Sequence, residues 1–283
     1  MTLAATGSLV ADAARAGGAV LAFNVITLEH AEGIVQGLEA AGLPGILQVS
    51  ENAVRFHGGR TAPLVAACRE VAASAGVPVS VHLDHVQDAG LARAVVASAW
   101  QLGISSVMVD AAHLDYEENV ATTAELAASA HRTSLWVEAE LGEIGGKDGA
   151  HAPGVRTDPE EAASFVARTG VDGLAVAVGS SHAMTTATAE LDLGLVERLA
   201  ERVPVPLVLH GSSGVPVPAL RAAVAAGIRK INVGTALNVG YTAQVRQFLA
   251  ADGTTTDPRK YLDPARGAVR DAVDQLCTQV LHG

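Results

Sequence analysis

The 283 residues are 49% hydrophobic but only 3% aromatic, enough for one large core built mostly from Ala, Val and Leu. A net charge of −11 speaks against nucleic acid or an anionic membrane surface as the main partner, because both require a basic patch. The N-terminus lacks a basic region followed by an apolar one, and no window reaches the roughly 20 apolar residues of a membrane span, so a soluble, cytoplasmic chain is expected. Cys68 and Cys277 lie far apart in helix-like stretches without CxxC spacing, which reads as two reduced, structural thiols.

Along the chain, short β-rich runs occur at 19–25 (AVLAFNV), 45–50 (GILQVS), 77–84 (VPVSVHLD) and 105–112 (SSVMVDAA). Four more follow at 134–142 (SLWVEAELG), 173–181 (GLAVAVGSS), 206–214 (PLVLHGSSG) and 230–235 (KINVGT). Between them lie Ala-rich stretches with helical spacing, such as EHAEGIVQGLEAAG and DPEEAASFVARTG, several closed by Gly. Strand alternating with helix implies a parallel sheet, and eight repeats over this length predict a closed (β/α)8 barrel, an α/β fold. A doubly wound sheet is the alternative, but no G-x-G-x-x-G follows the first strand. No Pro/Ser-rich linker divides the chain, so residues 1–283 are expected to form one domain, with the segment after the eighth unit forming an added C-terminal helix.

The polar residues of these runs cluster at their C-terminal ends. Asp84 and His85 end the third strand, Asp110 the fourth, His182 the sixth and His210 the seventh; Glu138 and Glu140 lie on the fifth, and Asn232 and Thr235 on the eighth. Active sites of (β/α)8 enzymes are built at that face, so these residues are expected to converge. Three histidines with a carboxylate suit a divalent transition metal, zinc above all, with a position left open for substrate. One histidine at a strand end would more often be a hydrogen-bonded filler; three at matched positions favour a site. By alternation His82 shares a strand face with Asp84 and is expected to support the site, while His85 sits past the strand end, where the backbone can turn. His30, His57, His113, His131, His151 and His282 are expected mostly at the surface.

The stretches AFNV, QVSENAV, VHLDH, SSVMVD, VEAELGEIGG, RTDPEEA, VAVGSSHAM, LVLHGSSGV, KINVGT and DPRKYL together resemble the class II, metal-dependent fructose-1,6-bisphosphate and tagatose-1,6-bisphosphate aldolases. The resemblance runs from about residue 19 to about residue 275 without long gaps, and implies a metal-dependent lyase acting on a phosphorylated ketose in glycolysis or related carbohydrate metabolism. It implies that His85, His182 and His210 hold the catalytic zinc and that Asp84 is the acid/base at the C4 oxygen. Asp110 and Glu140 match positions of a second or alternative metal site, or serve as carboxylates that only steady the ligands. Ala183, Gly211, Ser212 and Ser213, with Asn232, Val233, Gly234 and Thr235, match the loops around the phosphate of dihydroxyacetone phosphate. Asn24 and Ser50 resemble contacts to substrate hydroxyls, and Arg259 resembles the arginine that grips the distal phosphate. A monovalent cation, Na+ or K+, near the phosphate and a homo-oligomer, dimer or tetramer, are further expectations.

Aldol cleavage between C3 and C4 leaves electrons on the carbonyl fragment, which either a Lewis-acid metal or a Schiff-base lysine can stabilise. Only Lys147, Lys230 and Lys260 exist, and none reads as a nucleophile: the first lies in a Gly-rich loop, the second opens strand eight at the end away from the site, and the third is in the tail. The chain departs from the family where Ala111, Ala112 and Ala183 replace smaller or hydroxylated residues. It also departs in the GGKDG loop, where a proton-exchanging glutamate is missing and Asp148, or second to it Glu143, would have to serve. Fructose 1,6-bisphosphate is the expected substrate, tagatose 1,6-bisphosphate or another phosphorylated ketose the alternative. A barrel that binds a sugar phosphate without turnover is the non-enzymatic reading.

Overall fold

A computed structural model describes residues 3–141, 155–181 and 184–281. Eight parallel strands close into a barrel in chain order: β1 Val20–Asn24, β2 Gly45–Ser50, β3 Val79–Val86, β4 Ser106–Val109, β5 Trp136–Glu140, β6 Gly173–Ala175, β7 Leu207–Leu209 and β8 Ile228–Val233. Around them run α1 Thr6–Arg15, α2 Leu28–Ala41, α3 Glu51–Phe56, α4 Thr61–Ser74, α5 Ala89–Leu102, α6 Tyr116–His131, α7 Pro159–Thr169, α8 Leu193–Arg202, α9 Val217–Ala226 and α10 Thr235–Ala251. The expected C-terminal helix is α11, Arg259–Leu281, which packs on α2 and α10.

Local sequence explains the junctions. Asp88 caps α5 by accepting from the Leu91 amide, and Asp158 caps α7 by accepting from the amides of Glu160 and Glu161, with Pro159 in the first turn. Gly42, Gly103 and Gly170 close their helices in the left-handed conformation that a Cβ would disfavour. Outward-facing strand residues such as Leu21, Leu47, Leu83, Val107 and Val137 meet the buried stripe of the helices in one continuous core that takes in both cysteines, Cys68 on α4 and Cys277 on α11. Burial pushes both thiols up to about 12, which makes them inert packing groups.

Inside the barrel, the end nearer the strand N-termini combines an apolar patch with a few buried, hydrogen-bonded hydroxyls. Val20, Ala22 and Ile46 pack against Leu9 and Val10 of α1, which lies across that end. Thr6 of α1 bonds Ser80 Oγ at 2.9 Å and accepts from Ser106 Oγ at 2.6 Å. Ser106 Oγ in turn accepts from His82 Nδ1 at 2.8 Å. Burial holds the fully buried His82 well below the ordinary histidine range, and the positive charge of Lys230 acts in the same direction. His82 thus stands as a neutral prop between the plugged floor and the polar layer above it.

One expectation is corrected here. His30 is not at the surface: it is 3% exposed, stacks on Tyr241 with ring centroids 4.5 Å apart, and lies 3.1 Å from Thr27 Oγ1. Burial lowers its pKa. The folded ring takes up its proton at a lower pH than the unfolded ring, which protonates below about pH 6.5, so below that pH the unfolded chain binds more protons and stability falls. Denaturant titrations at several pH values should therefore show His30→Phe with a shallower loss of unfolding free energy between about pH 7 and about pH 5 than the wild type. An unchanged slope would mean that His30 titrates alike in both states.

Candidate active site

The polar layer begins with an irregularity in β3. Pairing with β4 shifts register between Leu83 and Val86, and His85 takes a left-handed backbone, φ +48°. The turn expected at His85 is thus a bulge inside a strand that continues to Val86. A bulge re-aims one side chain, so the neighbours Asp84 and His85 both face the barrel mouth instead of opposite sides of the sheet. Glu51 at the start of α3 fixes the segment that follows, its Oε2 accepting from the amides of Gln87 and Asp88 at 2.6 and 2.9 Å.

Four of the expected ligands come together on this mouth. The rings of His85 and His210 lie edge to face, 4.8 Å between centroids and 79° between planes. His85 Nδ1 is 2.9 Å from Asp110 Oδ2 and 4.0 Å from Glu140 Oε2, and His210 Nδ1 is 3.9 Å from that same Glu140 oxygen. Donor atoms of Asp84, His85 and His210 all lie within 4.8 Å of one another, as do those of His85, Asp110 and Glu140. Nitrogen and carboxylate donors of this kind, converging where substrate can enter, fit a divalent transition metal. The expected ligand His182, its neighbour Ala183, and Glu143, Lys147, Asp148 and His151 lie outside the described residues, as does His282.

A cleft of about 220 Å³ opens over this group. Asn24, Gln48, Ser50, Asp84 and His85 line one side, and Ser181, Gly211 to Ser213, Asn232, Gly234 and Thr235 the other. Asp84 is 1% exposed, with Asn24 Nδ2 3.5 Å and Asn232 Nδ2 3.4 Å from its carboxylate oxygens. Ser50 caps α3, accepting from the Ala53 amide, while its residue still borders the cleft.

The far side is a loop and helix-terminus cradle. Gly211 has φ +66°, and a Cβ there would sit 2.5 Å from the Ser181 carbonyl oxygen, so the sequence needs glycine where β7 gives way to the short 3-10 turn Ser212–Gly214. Ser212 Oγ donates to the Asn232 carbonyl at 2.5 Å, and Ser213 Oγ accepts from the Ala236 amide at 3.1 Å, tying this turn to the first turn of α10. Such a helix start, at the loops after the seventh and eighth strands, is a natural seat for a phosphate. Val233 is buried in the outer core and can face the cradle only through its backbone.

Two expectations meet a different geometry. Arg259 is solvent-facing, its side chain 88% exposed and paired with Asp257 at 2.8 Å, and it is not among the residues lining the cleft. Lys230 does not lie away from the site: its fully buried Nζ points into the barrel, 2.8 Å from Glu138 Oε2 and 2.6 Å from Asn232 Oδ1. Sequence reasoning places Glu138 with Glu140 among the residues expected to converge but gives it no role, and it does not single out Gln48; strand alternation puts Glu138 on the face of Glu140 and Lys230 on the face of Asn232.

A (β/α)8 barrel with histidines and carboxylates converging at its C-terminal mouth, beside a phosphate-type cradle, has the build of a metal-assisted enzyme acting on a small phosphorylated compound. The family model Fructose-bisphosphate aldolase class-II matches residues 4–282. The chain is 40% identical over 276 residues to a probable fructose-bisphosphate aldolase of Bacillus subtilis, covering 96% of this chain and 95% of that one. It is 36% identical over 281 residues to the D-tagatose-1,6-bisphosphate aldolase subunit GatY of Klebsiella oxytoca, covering 98% and 96%. Its fold is similar to that of the YdjI aldolase from Escherichia coli K12, with a TM-score of 0.81 at 30% identity, covering 98% of this chain and 97% of that one. The chain belongs to the class II fructose-bisphosphate aldolase family and is an aldolase, a carbon–carbon lyase.

Proposed function

We propose that this aldolase cleaves a ketose 1,6-bisphosphate reversibly to dihydroxyacetone phosphate and glyceraldehyde 3-phosphate, with fructose 1,6-bisphosphate as the preferred substrate. The observation that carries the reading is the buried carboxylate of Asp84, held at the cleft floor beside the donors of His85 and His210. His85 and His210, completed by His182, would hold a zinc ion, and Asp110 with Glu140 would steady His85 or offer an alternative position for a divalent ion. A zinc ion bound there would supply Lewis acidity for the charge that C3–C4 cleavage leaves on the ketone fragment.

The chain's own residues do the rest. Asp84 takes the C4 hydroxyl proton as the bond breaks and returns it to the aldehyde oxygen in condensation. Its two asparagine neighbours keep the carboxylate aimed. Gly211, Ser212 and Ser213, with Gly234 and Thr235, receive the C1 phosphate at the start of α10, where a monovalent cation is also proposed. Asn24 and Ser50 border the opposite part of the cleft, where the ketose hydroxyls would lie. Proton exchange on the ketone fragment falls to Asp148 or Glu143.

Arg259 retains the distal-phosphate role only if a second copy carries it to a neighbouring cleft, so that role and the proposed homo-oligomer stand together. Its ion pair to Asp257, two residues earlier, is at the surface and cheap to exchange. The test compares fructose 1,6-bisphosphate with fructose 1-phosphate in wild type and Arg259→Ala. A charge-assisted contact contributes about 1.5–3 kcal/mol, so the variant should lose roughly 10- to 150-fold in kcat/KM on the bisphosphate and almost nothing on the monophosphate. Equal losses would remove Arg259 from the site, and a wild-type preference for the monophosphate would place the substrate outside the bisphosphates.

A further inference from the structure

The proposed chemistry leaves one buried cation unused. Lys230, on β8, is completely buried inside the barrel and is not part of the cleft lining. An ammonium in such a place is costly unless paired, and Lys230 is paired twice: across the barrel to Glu138 Oε2 on β5 at 2.8 Å, and along its own strand to Asn232 Oδ1 at 2.6 Å.

Each bond constrains a residue of the site. Glu138 turns its other oxygen, Oε1, to His210 Nε2 at 2.8 Å. A carboxylate can only accept, so His210 carries its ring proton on Nε2 and presents Nδ1 on the side of Glu140. An ammonium can only donate, so the carbonyl end of Asn232 faces Lys230 and its NH2 faces Asp84 Oδ1 at 3.4 Å. Asn232 Nδ2 also lies 3.0 Å from His210 Nε2. With the Nε2 proton committed to Glu138, both groups there are donors, so this approach is a contact and the amide protons are directed to Asp84.

We infer that Lys230 is a positioning residue: through Glu138 it fixes the tautomer of His210, and through Asn232 it fixes the amide that holds Asp84. The inference rests on the reading of His210 as a metal ligand and Asp84 as the acid/base. Partners behind a ligating histidine set which nitrogen is available and how basic it is, and here a single cation governs both that partner and the one on the acid/base.

Glu138→Gln is the incisive variant, because it keeps size and shape. Lys230 still demands an acceptor and takes the carbonyl of the introduced amide, so the new NH2 points at His210 Nε2, which must accept, and the ring proton moves to Nδ1. Nitrogen-15 spectra of the histidine side chains in metal-free protein should show the unprotonated nitrogen of His210 at Nδ1 in the wild type and at Nε2 in the variant. Zinc affinity measured by chelator competition should fall about 10- to 100-fold in the variant. Lys230→Met, if it folds, should lose a similar 10- to 100-fold in kcat with little change in KM, since Asp84 loses its fixed amide. A tautomer that stays on the wild-type pattern in Glu138→Gln overturns the inference, and so does unchanged kcat in a folded Lys230→Met. If the tautomer moves as expected but His210→Ala binds zinc like the wild type, the positioning network stands and the ligand role of His210 is what fails.

Discussion

Asp84→Ala should keep its metal near the wild-type content and lose about 10²- to 10⁴-fold in turnover, the usual worth of a positioned general acid/base, whereas His85→Ala should lose metal and activity together. The two residues are adjacent, share the bulge in β3 and line the same cleft, so any general damage to the strand would affect both alike. What separates them is what they touch. His85 is backed by Asp110 at 2.9 Å, the arrangement expected of a ligand steadied from behind, while Asp84 is backed by two amides that leave a carboxylate facing the cleft. Asp84 nevertheless has an oxygen within 4.8 Å of the histidine donors, close enough for one ion to be shared among them. Metal analysis of purified Asp84→Ala therefore decides its role: metal loss equal to that of His85→Ala would make Asp84 a ligand and leave the proton transfer without an owner.

Removing the metal should abolish cleavage altogether, and zinc or cobalt should restore it, with no covalent adduct formed when substrate and borohydride are added together. The lysines carry this expectation as much as the histidines do. A Schiff-base lysine must present a neutral amine to the substrate carbonyl. Lys230 has Nζ engaged by Glu138 and Asn232 beneath the site, and Lys260 is exposed on α11, away from the cleft lining. Turnover that survives dialysis against a chelator, or a borohydride-trapped protein mass, would sink the metal-dependent reading.

The barrel is legible in the sequence because each apolar run is followed by a helix-period stretch, several with their own caps, and period-2 and period-3.6 patterns are hard to confuse over that length. The runs overshoot where strand-like residues leave the ladder to form loops: 173–181 and 206–214 shrink to Gly173–Ala175 and Leu207–Leu209, and their polar tails become the cradle and its surroundings. Asp84, His85, Asp110, Glu140 and His210 can be picked out because they stand where apolar runs end. Glu138 can be placed near the mouth but not given its role, and Lys230 cannot be picked out at all, since a charged residue within a strand tells nothing of the partner waiting across a closed barrel. His30 escapes a sequence reading because a helix stripe that meets both α10 and the core is wider than the Ala-rich sequence suggests, and Arg259 because nothing in a tail segment's sequence says whether its side chain turns to the cleft or, as here, to solvent.

The bulge at His85 also sets terms for anyone who would move this site into another barrel. Copying the side chains onto a regular third strand would send His85 to the outer face, because successive residues of an unbroken strand point to opposite sides. The graft must carry an extra residue and a left-handed backbone at φ +48°, a conformation that costs a non-glycine residue roughly 1–2 kcal/mol. It must also bring the carboxylate of Glu51, whose grip on the amides of Gln87 and Asp88 holds the chain after the kink. A scaffold lacking that anchor would be free to slip the strand back into register, and the histidine would be lost without a single change of sequence.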